Sequence, residues 1–207
     1  MSFWDRLDAA CEQRSVLRHP FYRRWSEGSL RTEELAHYSG QYRHAVIALA
    51  QAAASAACSP EAGADADALA GHAAEEADHL ALWDQFVAEV GGDTRAPASP
   101  ETAECAAMWA GDGSRPLLPT LAAMYAIESA QPAISQTKLD GLAAYYGIGS
   151  AAYFELHREL DAEHAAAARA LIERRMTDAD QDGLITTASA ALEANWRLLD
   201  GVEAALA

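Results

Sequence analysis

The sequence predicts an all-α protein, a single compact bundle of about seven helices forming one domain over residues 1–207. Three observations predict it. Alanine supplies 50 of the 207 residues, and it is the strongest helix former and a poor strand former. No stretch alternates apolar and polar residues with period two over a strand length. Glycines and prolines divide the chain into segments of helical length joined by short loops, the pattern of a bundle.

Each element has its own signal. Phe3, Leu7, Ala10 and Cys11 recur at helical spacing and predict a first helix over 3–16. Pro20 opens a short second helix, in the first turn where its missing N–H does no harm, and Gly28 ends it. Ser29-Leu30-Arg31-Thr32-Glu33-Glu34 sets hydroxyls and early acids at the positive end of a long helix over 32–57. An Ala-, Asp- and Gly-rich passage leads at residue 66 into a helix that runs to Val90, where Gly91-Gly92 stops it. Residues 93–99 read as a loop, and Ser99-Pro100-Glu101 starts a helix to Ala110, broken by Gly111-Asp112-Gly113. Pro119-Thr120 leads into a helix through Glu128 to Tyr146, kinked at Pro132. Gly147 and Gly149 make a turn, a helix covers 150–176, the loop TDADQDG follows, and a last helix covers 184–205.

Charge and cysteine content exclude several functions. With 31 acidic and 15 basic residues the net charge is −16, which opposes a phosphate-neutralising surface or attraction to an anionic bilayer. The apolar half of the chain opposes disorder. Cys11, Cys58 and Cys105 are too few and too scattered for a disulfide framework or a CxxC metal site, and fit a reducing cytoplasm. The N-terminus lacks the pattern of a signal peptide. The longest weakly polar run, Ala45 to Cys58, is shorter than the roughly 20 residues a membrane span needs. The expectation is a cytoplasmic protein with a small-molecule partner, no nucleic acid and no membrane.

Histidine placement carries the chemistry. His157, Asp161 and His164 are spaced by 4 and 3, within about 60° of one another on a helix. Two imidazoles and a carboxylate among alanines and leucines are costly to bury unpaired, and a metal satisfies them; a solvated charged face is the alternative. Glu76 and His79 have the Glu-x-x-His spacing of di-iron carboxylate bundles, and Glu75 and His72 can share that face. Glu128 is an acid in an otherwise apolar helix segment. Three carboxylates and three histidines suit two iron or manganese ions, without the thiolates of a closed zinc site. The histidines at 19, 37 and 44 can line a cavity, pack or lie exposed; His72 is an alternate metal ligand, a group that orients a carboxylate ligand, or a plain surface histidine. The run from Asp178 to Gly183 resembles half a calcium loop, but its twelfth position is Ser189; an acidic loop whose aspartates cap the next helix is preferred. The five tryptophans read as core.

The order HPFYRRW, L-x-x-Y and QY, E-x-x-HLALW, Y-x-x-E with K-L-x-GL-x-x-YYG, then H-x3-D-x2-H resembles the haem-oxygenase-like helical proteins over roughly residues 5–203. These include TenA, PqqC and a set of non-haem di-iron oxidases and oxygenases. The resemblance implies Glu76, His79, Glu128, His157, Asp161 and His164 as di-metal ligands. The Glu76–His79 spacing is like that of UndA-type fatty-acid decarboxylases. CADD-type para-aminobenzoate synthases have a longer spacing, which leaves Glu75 open as the ligand instead. On the CADD side, Tyr22, Tyr38 and Lys138 match the sacrificed tyrosine, its assisting tyrosine and a lysine. The ordinary readings are a packing tyrosine at 22 and a salt-bridging lysine at 138. The thiaminase cysteine of TenA relatives is missing, and PqqC-like enzymes lack the full ligand set. The resemblance therefore implies an O2-activating oxidase with two Fe(II), or an Fe/Mn pair, and O2 as co-substrate. Its small substrate is expected to be an amino acid or derived group, including its own tyrosine. A fatty acid comes next, and a metal-free TenA- or PqqC-like enzyme or binding protein is the alternative of another class. The resemblance also allows a homodimer.

Overall fold

In a computed structural model, which describes residues 1–148 and 151–205, the alanine-rich segments are helical and no strand occurs among the described residues. Nine α-helices are present among them: α1 (Phe3–Gln13), α2 (Pro20–Ser26), α3 (Thr32–Ala57), α4 (Ala66–Glu89), α5 (Pro100–Ala110), α6 (Leu117–Glu128), α7 (Gln131–Gly141), α8 (Ala152–Arg175) and α9 (Gln181–Ala204). The expected all-α architecture is therefore observed. The count exceeds the expected seven or so because the long 119–146 segment divides in two.

That division has a cause. A proline inside a helix clashes with the carbonyl four residues earlier, and for Pro132 that residue is Glu128. The chain breaks over Ser129 and Ala130 instead of kinking, and Pro132 falls in the first turn of α7. The break makes Glu128 the last residue of α6. Other boundaries also differ. Helix α1 stops at Gln13 and a 3-10 turn, Val16–Arg18, carries the chain to Pro20. His19, before that proline, is extended. At the start of α3 the acid caps, not the hydroxyls: the Arg31 N–H donates to Glu34 Oε2 at 2.8 Å, and Arg24 pairs with the same carboxylate at 2.6 Å. Asp180 does not cap α9 with its side chain; its carboxylate accepts from the Thr177 N–H and hydroxyl, both at 2.8 Å, and closes the loop. The turn expected at Gly147 and Gly149 is described only at Gly147, since Gly149 and Ser150 lie outside the described residues.

Helix α6 sets the architecture. Every residue from Thr120 to Glu128 is buried, as expected of a helix that is apolar all round. Helices α3, α8 and α9 pack on it, α4 packs on α3 and α8, and α7 lies against α8. Buried indoles tie neighbours together: Trp83 on α4 donates to the Ser39 carbonyl of α3 at 2.9 Å, Trp109 on α5 to Ala191 of α9 at 3.0 Å, and Trp25 on α2 to Lys138 of α7 at 3.2 Å. Trp4 and Trp196 are only half-buried, so three of the five tryptophans are full core. No helix among the described residues is long and apolar enough to cross a membrane.

Candidate metal centre

Helices α4, α6 and α8 meet around one polar pocket in the apolar interior. Helix α4 brings His72, Glu76 and His79, α6 brings Glu128, and α8 brings His157, Asp161 and His164. Two groups within it have the spacing to hold a cation: His72, Glu76 and His164, and Glu76, His79 and His157, with donor atoms mutually within 4.8 Å. Glu76 belongs to both. Its Oε1 lies 3.1 Å from His79 Nδ1, 3.7 Å from His72 Nε2 and 3.9 Å from His164 Nδ1. Glu128 Oε1 is 3.3 Å from His72 Nε2, and Asp161 Oδ1 is 3.6 Å from His164 Nδ1.

These atoms face one another without hydrogen bonds. Of twelve buried side-chain nitrogen and oxygen atoms lacking a hydrogen-bond partner among the described residues, nine belong to these seven side chains. Unmade hydrogen bonds on buried polar atoms are costly, about 1–3 kcal/mol each. Glu128 is the extreme case. Both its oxygens are unpartnered, and it ends a helix, where the dipole repels a negative charge. A cation among the seven would remove both penalties. The donor set of carboxylates and imidazoles, without thiolate, fits iron or manganese.

Outer groups aim the inner ones. The Nδ1–H of His157 faces the Tyr153 carbonyl at 2.7 Å, which leaves Nε2 directed inward without a partner. His164 Nε2 meets the Glu75 carboxylate at 2.9 Å, so its Nδ1 turns inward. Glu75 is half-exposed while Glu76 is buried. The geometry therefore gives Glu76 the inner position and Glu75 the outer one. His72, expected as an alternate ligand or as an outer group, stands among the inner seven.

The pocket also splits the ionisation of its members. Burial, with the charges of Glu128 and Glu76, pushes Asp161 up to about 7. Burial raises Glu128 as well. Burial raises Glu76 too, but the histidines close around it outweigh that and hold it below the usual carboxylate range. Burial lowers His157 to about 4. For His72 burial acts downward, yet Glu128 and Glu76 lift it to about 10. Without a cation the cluster holds a mixture of protonated and ionised groups, and a cation would displace those protons.

A second buried site adjoins the first. Lys138 on α7 is 1 % exposed, and its Nζ donates to Tyr38 Oη at 2.6 Å. Five rings surround that nitrogen, with Nζ-to-centroid distances of 4.7 Å to Phe154, 4.8 Å to Tyr42, 5.1 Å to Tyr38, 5.5 Å to Trp83 and 5.7 Å to Tyr22. Burial pushes the phenols of Tyr22 and Tyr38 well above 10. Burial drives Lys138 well below its ordinary 10.5. No salt bridge involves it among the described residues, contrary to that alternative. Trp83 packs at 4.8 Å on Tyr153, which stacks at 3.9 Å on His157, so the amine box and the metal pocket share a wall.

The remaining sequence candidates lie elsewhere. His19 caps α2, accepting from the Phe21 N–H at 3.1 Å. His44 meets the Ala96 carbonyl at 2.9 Å, and His37 is half-buried outside the cluster. Tyr42, Trp83, Tyr153 and Phe154 were not singled out for the box, since aromatic residues at helical spacing look like core. One signal was available for Lys138: it is the only lysine in the chain, against 14 arginines.

Known proteins resemble this chain in sequence and in fold. A family model described as iron-containing redox enzyme matches residues 36–196. The 4-aminobenzoate synthase of Nitrosomonas europaea is 32% identical, over 97% of this chain and 91% of its own length. That of Chlamydia muridarum is 30% identical, over 97% and 89%. Among solved structures, a domain of unknown function with a haem oxygenase-like fold from Shewanella denitrificans superposes with a TM-score of 0.80 at 18% identity, covering 98% of this chain and 90% of that one. A TenA homologue from P. horikoshii gives 0.79 at 14% identity, covering 98% of both.

Proposed function

The chain belongs to the iron-containing redox enzymes of haem-oxygenase-like fold, and from that premise we propose that it is an O2-dependent di-iron oxidase that forms 4-aminobenzoate from its own Tyr22. One observation carries the reading. The only lysine of the chain is sealed in an aromatic box, 2.6 Å from Tyr38 and over the ring of Tyr22, one shared wall from a pocket of unpartnered ligands.

The residues have distinct tasks. Glu76, His79 and His157 would hold one metal ion, and His72, Glu76 and His164 another, with Glu128 and Asp161 beside them. Bound iron supplies the activation of O2. Tyr22 supplies the benzene ring, whose para oxygen must give way to nitrogen and whose Cβ must become a carboxyl carbon. Lys138, kept neutral by its surroundings, has a lone pair and is the amine available to the ring. Tyr38 accepts a hydrogen bond from the Lys138 amine and so holds it over the Tyr22 ring. The box excludes water, so a reactive ring is not lost to hydrolysis.

The test uses protein grown on ring-13C tyrosine, loaded anaerobically with Fe(II), then given O2 and reductant. Close to two iron ions per chain are expected. 13C-labelled 4-aminobenzoate should form, at no more than one equivalent per chain, with a matching mass loss at Tyr22. Tyr22→Phe should bind iron and make none. Unlabelled product, or many turnovers per chain, sinks the self-sacrifice.

A second reading has an observation of its own. A cavity of about 410 Å³ walled by Leu69, Leu121, Met124, Leu160, Ala168 and Leu171 reaches His72 and His164. It suits an apolar chain with a polar head at the metal, as in oxidative decarboxylation of a fatty acid. Loss of CO2 from added fatty acids, unaffected by Tyr22→Phe, favours it.

A further inference from the structure

A row of tyrosine and tryptophan rings runs from the candidate centre to solvent. It begins with Tyr153, stacked on His157 with centroids 3.9 Å apart and planes at 24°. Trp83 follows at 4.8 Å, Tyr38 at 6.1 Å and Trp25 at 6.0 Å. Tyr146 lies 5.8 Å from Trp25, and Tyr145 lies 6.4 Å from Tyr146. Every ring on this route can lose a single electron; the phenylalanines beside it are not needed to connect it.

Core packing does not explain the outer end. Tyr145 is 56% exposed, the one aromatic so open among the described residues. It is nevertheless held in place. It lies on Gly28, whose φ of +67° suits glycine, and a Cβ there would come within 2.4 Å of the Tyr145 ring. The next ring inward is fixed as well: Tyr146 Oη accepts the Leu30 N–H at 3.3 Å and donates to the Trp25 carbonyl at 3.3 Å.

We propose that this row is a path for single electrons from solvent to the iron centre, entered at Tyr145. The inference rests on the di-iron reading of the centre. When O2 has oxidised the centre, Tyr153 gives it one electron and is refilled in turn from Trp83, Tyr38, Trp25, Tyr146 and Tyr145. Tyr145 releases its phenolic proton to water as it is oxidised. A soluble one-electron reductant of the ascorbate class then returns one electron, with a proton from water, and restores the tyrosine. In total one electron passes from reductant to centre and the chain is unchanged. At Tyr38 the amine of Lys138, 2.6 Å away, takes the phenolic proton during its oxidation and hands it back. Such a path feeds a sealed centre without admitting the reductant.

The test installs an easily oxidised reporter, Tyr145→3-aminotyrosine, in the full chain loaded with Fe(II). Iron content, O2 uptake and the electron paramagnetic resonance signal are read on one sample after O2 is added without reductant. An aminotyrosyl radical is expected at position 145. Trp25→Phe and Tyr146→Phe should each reduce it to the level of iron-free protein, with iron content and O2 uptake retained. Tyr146→Phe removes only a hydroxyl, so it covers the case in which Trp25→Phe fails to fold. If iron binds and O2 is consumed but no radical forms, or it forms equally in both variants, the path is overturned. If no iron binds or no O2 is consumed, the di-iron reading fails and the path falls with it.

Discussion

Around Glu76, seven side chains from three helices face one another with nine unpartnered nitrogen and oxygen atoms; around Lys138, five rings enclose one amine with a single hydrogen bond. Both regions bury groups that are charged in water, which is expensive. The first gathers acids and imidazoles close enough to share a cation. The second offers its amine no acid, and burial favours its neutral form. The difference separates two needs of an oxidase: a place that holds metal, and a place that keeps a nitrogen nucleophile unprotonated. The two needs should separate by mutation.

The largest expected effect tests that separation directly. Glu76 is common to both cation-sized groups, so Glu76→Ala should lower iron content from about two per chain to below one and take product formation to background. Lys138→Met should also take product to background, but with iron content unchanged. Iron analysis beside product mass spectrometry reads both. If Lys138→Met loses iron too, the regions are one site and the comparison breaks.

A smaller effect appears in thermal unfolding. Iron at a hundred times its dissociation constant should stabilise the protein by about 2.7 kcal/mol, a rise in Tm of roughly 5–10 °C at this size. Lys138→Met should show the same rise and Glu76→Ala little or none. Calorimetry of each protein with and without Fe(II), kept anaerobic, gives the answer.

Lys138 is also the place where pH should tell the regions apart. Its folded-state pKa lies well below the 10.5 of the unfolded chain. Between those values the unfolded state binds the extra proton, so stability rises with pH across that alkaline window, by at most about 1.4 kcal/mol per pH unit. Below the window the full cost of the buried amine is present. Denaturant titrations of the metal-free protein should show this rise in wild type and its absence in Lys138→Met. Equal slopes would mean that the amine stays charged when buried.

How much of this was legible in the sequence depended on periodicity. The trio on α8 and the Glu76–His79 pair share helix faces, so spacing alone brought them out, and the all-α fold followed from alanine and the missing two-residue alternation. Helix ends set by local chemistry were read less well: a proline can kink a helix or stop it, and Pro132 stops α6 because of the Glu128 carbonyl. For His72 the sequence leaves ligand and outer group both open, because nothing in one helix tells how far a neighbour will approach. The aromatic box draws Tyr22, Tyr42, Trp83, Lys138 and Phe154 from five helices, and no periodicity links residues so far apart. Only the solitary lysine marked it.

The smallest expected effect concerns the rim of the metal pocket. Glu75 and Glu76 are adjacent acids on α4, yet one is half-exposed and the other buried. Glu75 meets His164 Nε2 at 2.9 Å, which leaves Nδ1 as the inward atom. Glu75→Gln keeps the size and a hydrogen-bonding side chain but removes the charge that makes the imidazole a better donor to metal. Outer partners of this kind are worth about 10–100-fold in metal affinity. Solvent at Glu75 weakens its field, so about tenfold is expected, confined to one of the two ions. Competition with a chelator should then show one iron leaving the variant more readily than the other. Equal loss of both ions would put Glu75 on the shared position instead, and a loss as deep as that of Glu76→Ala would exchange the roles of the two acids.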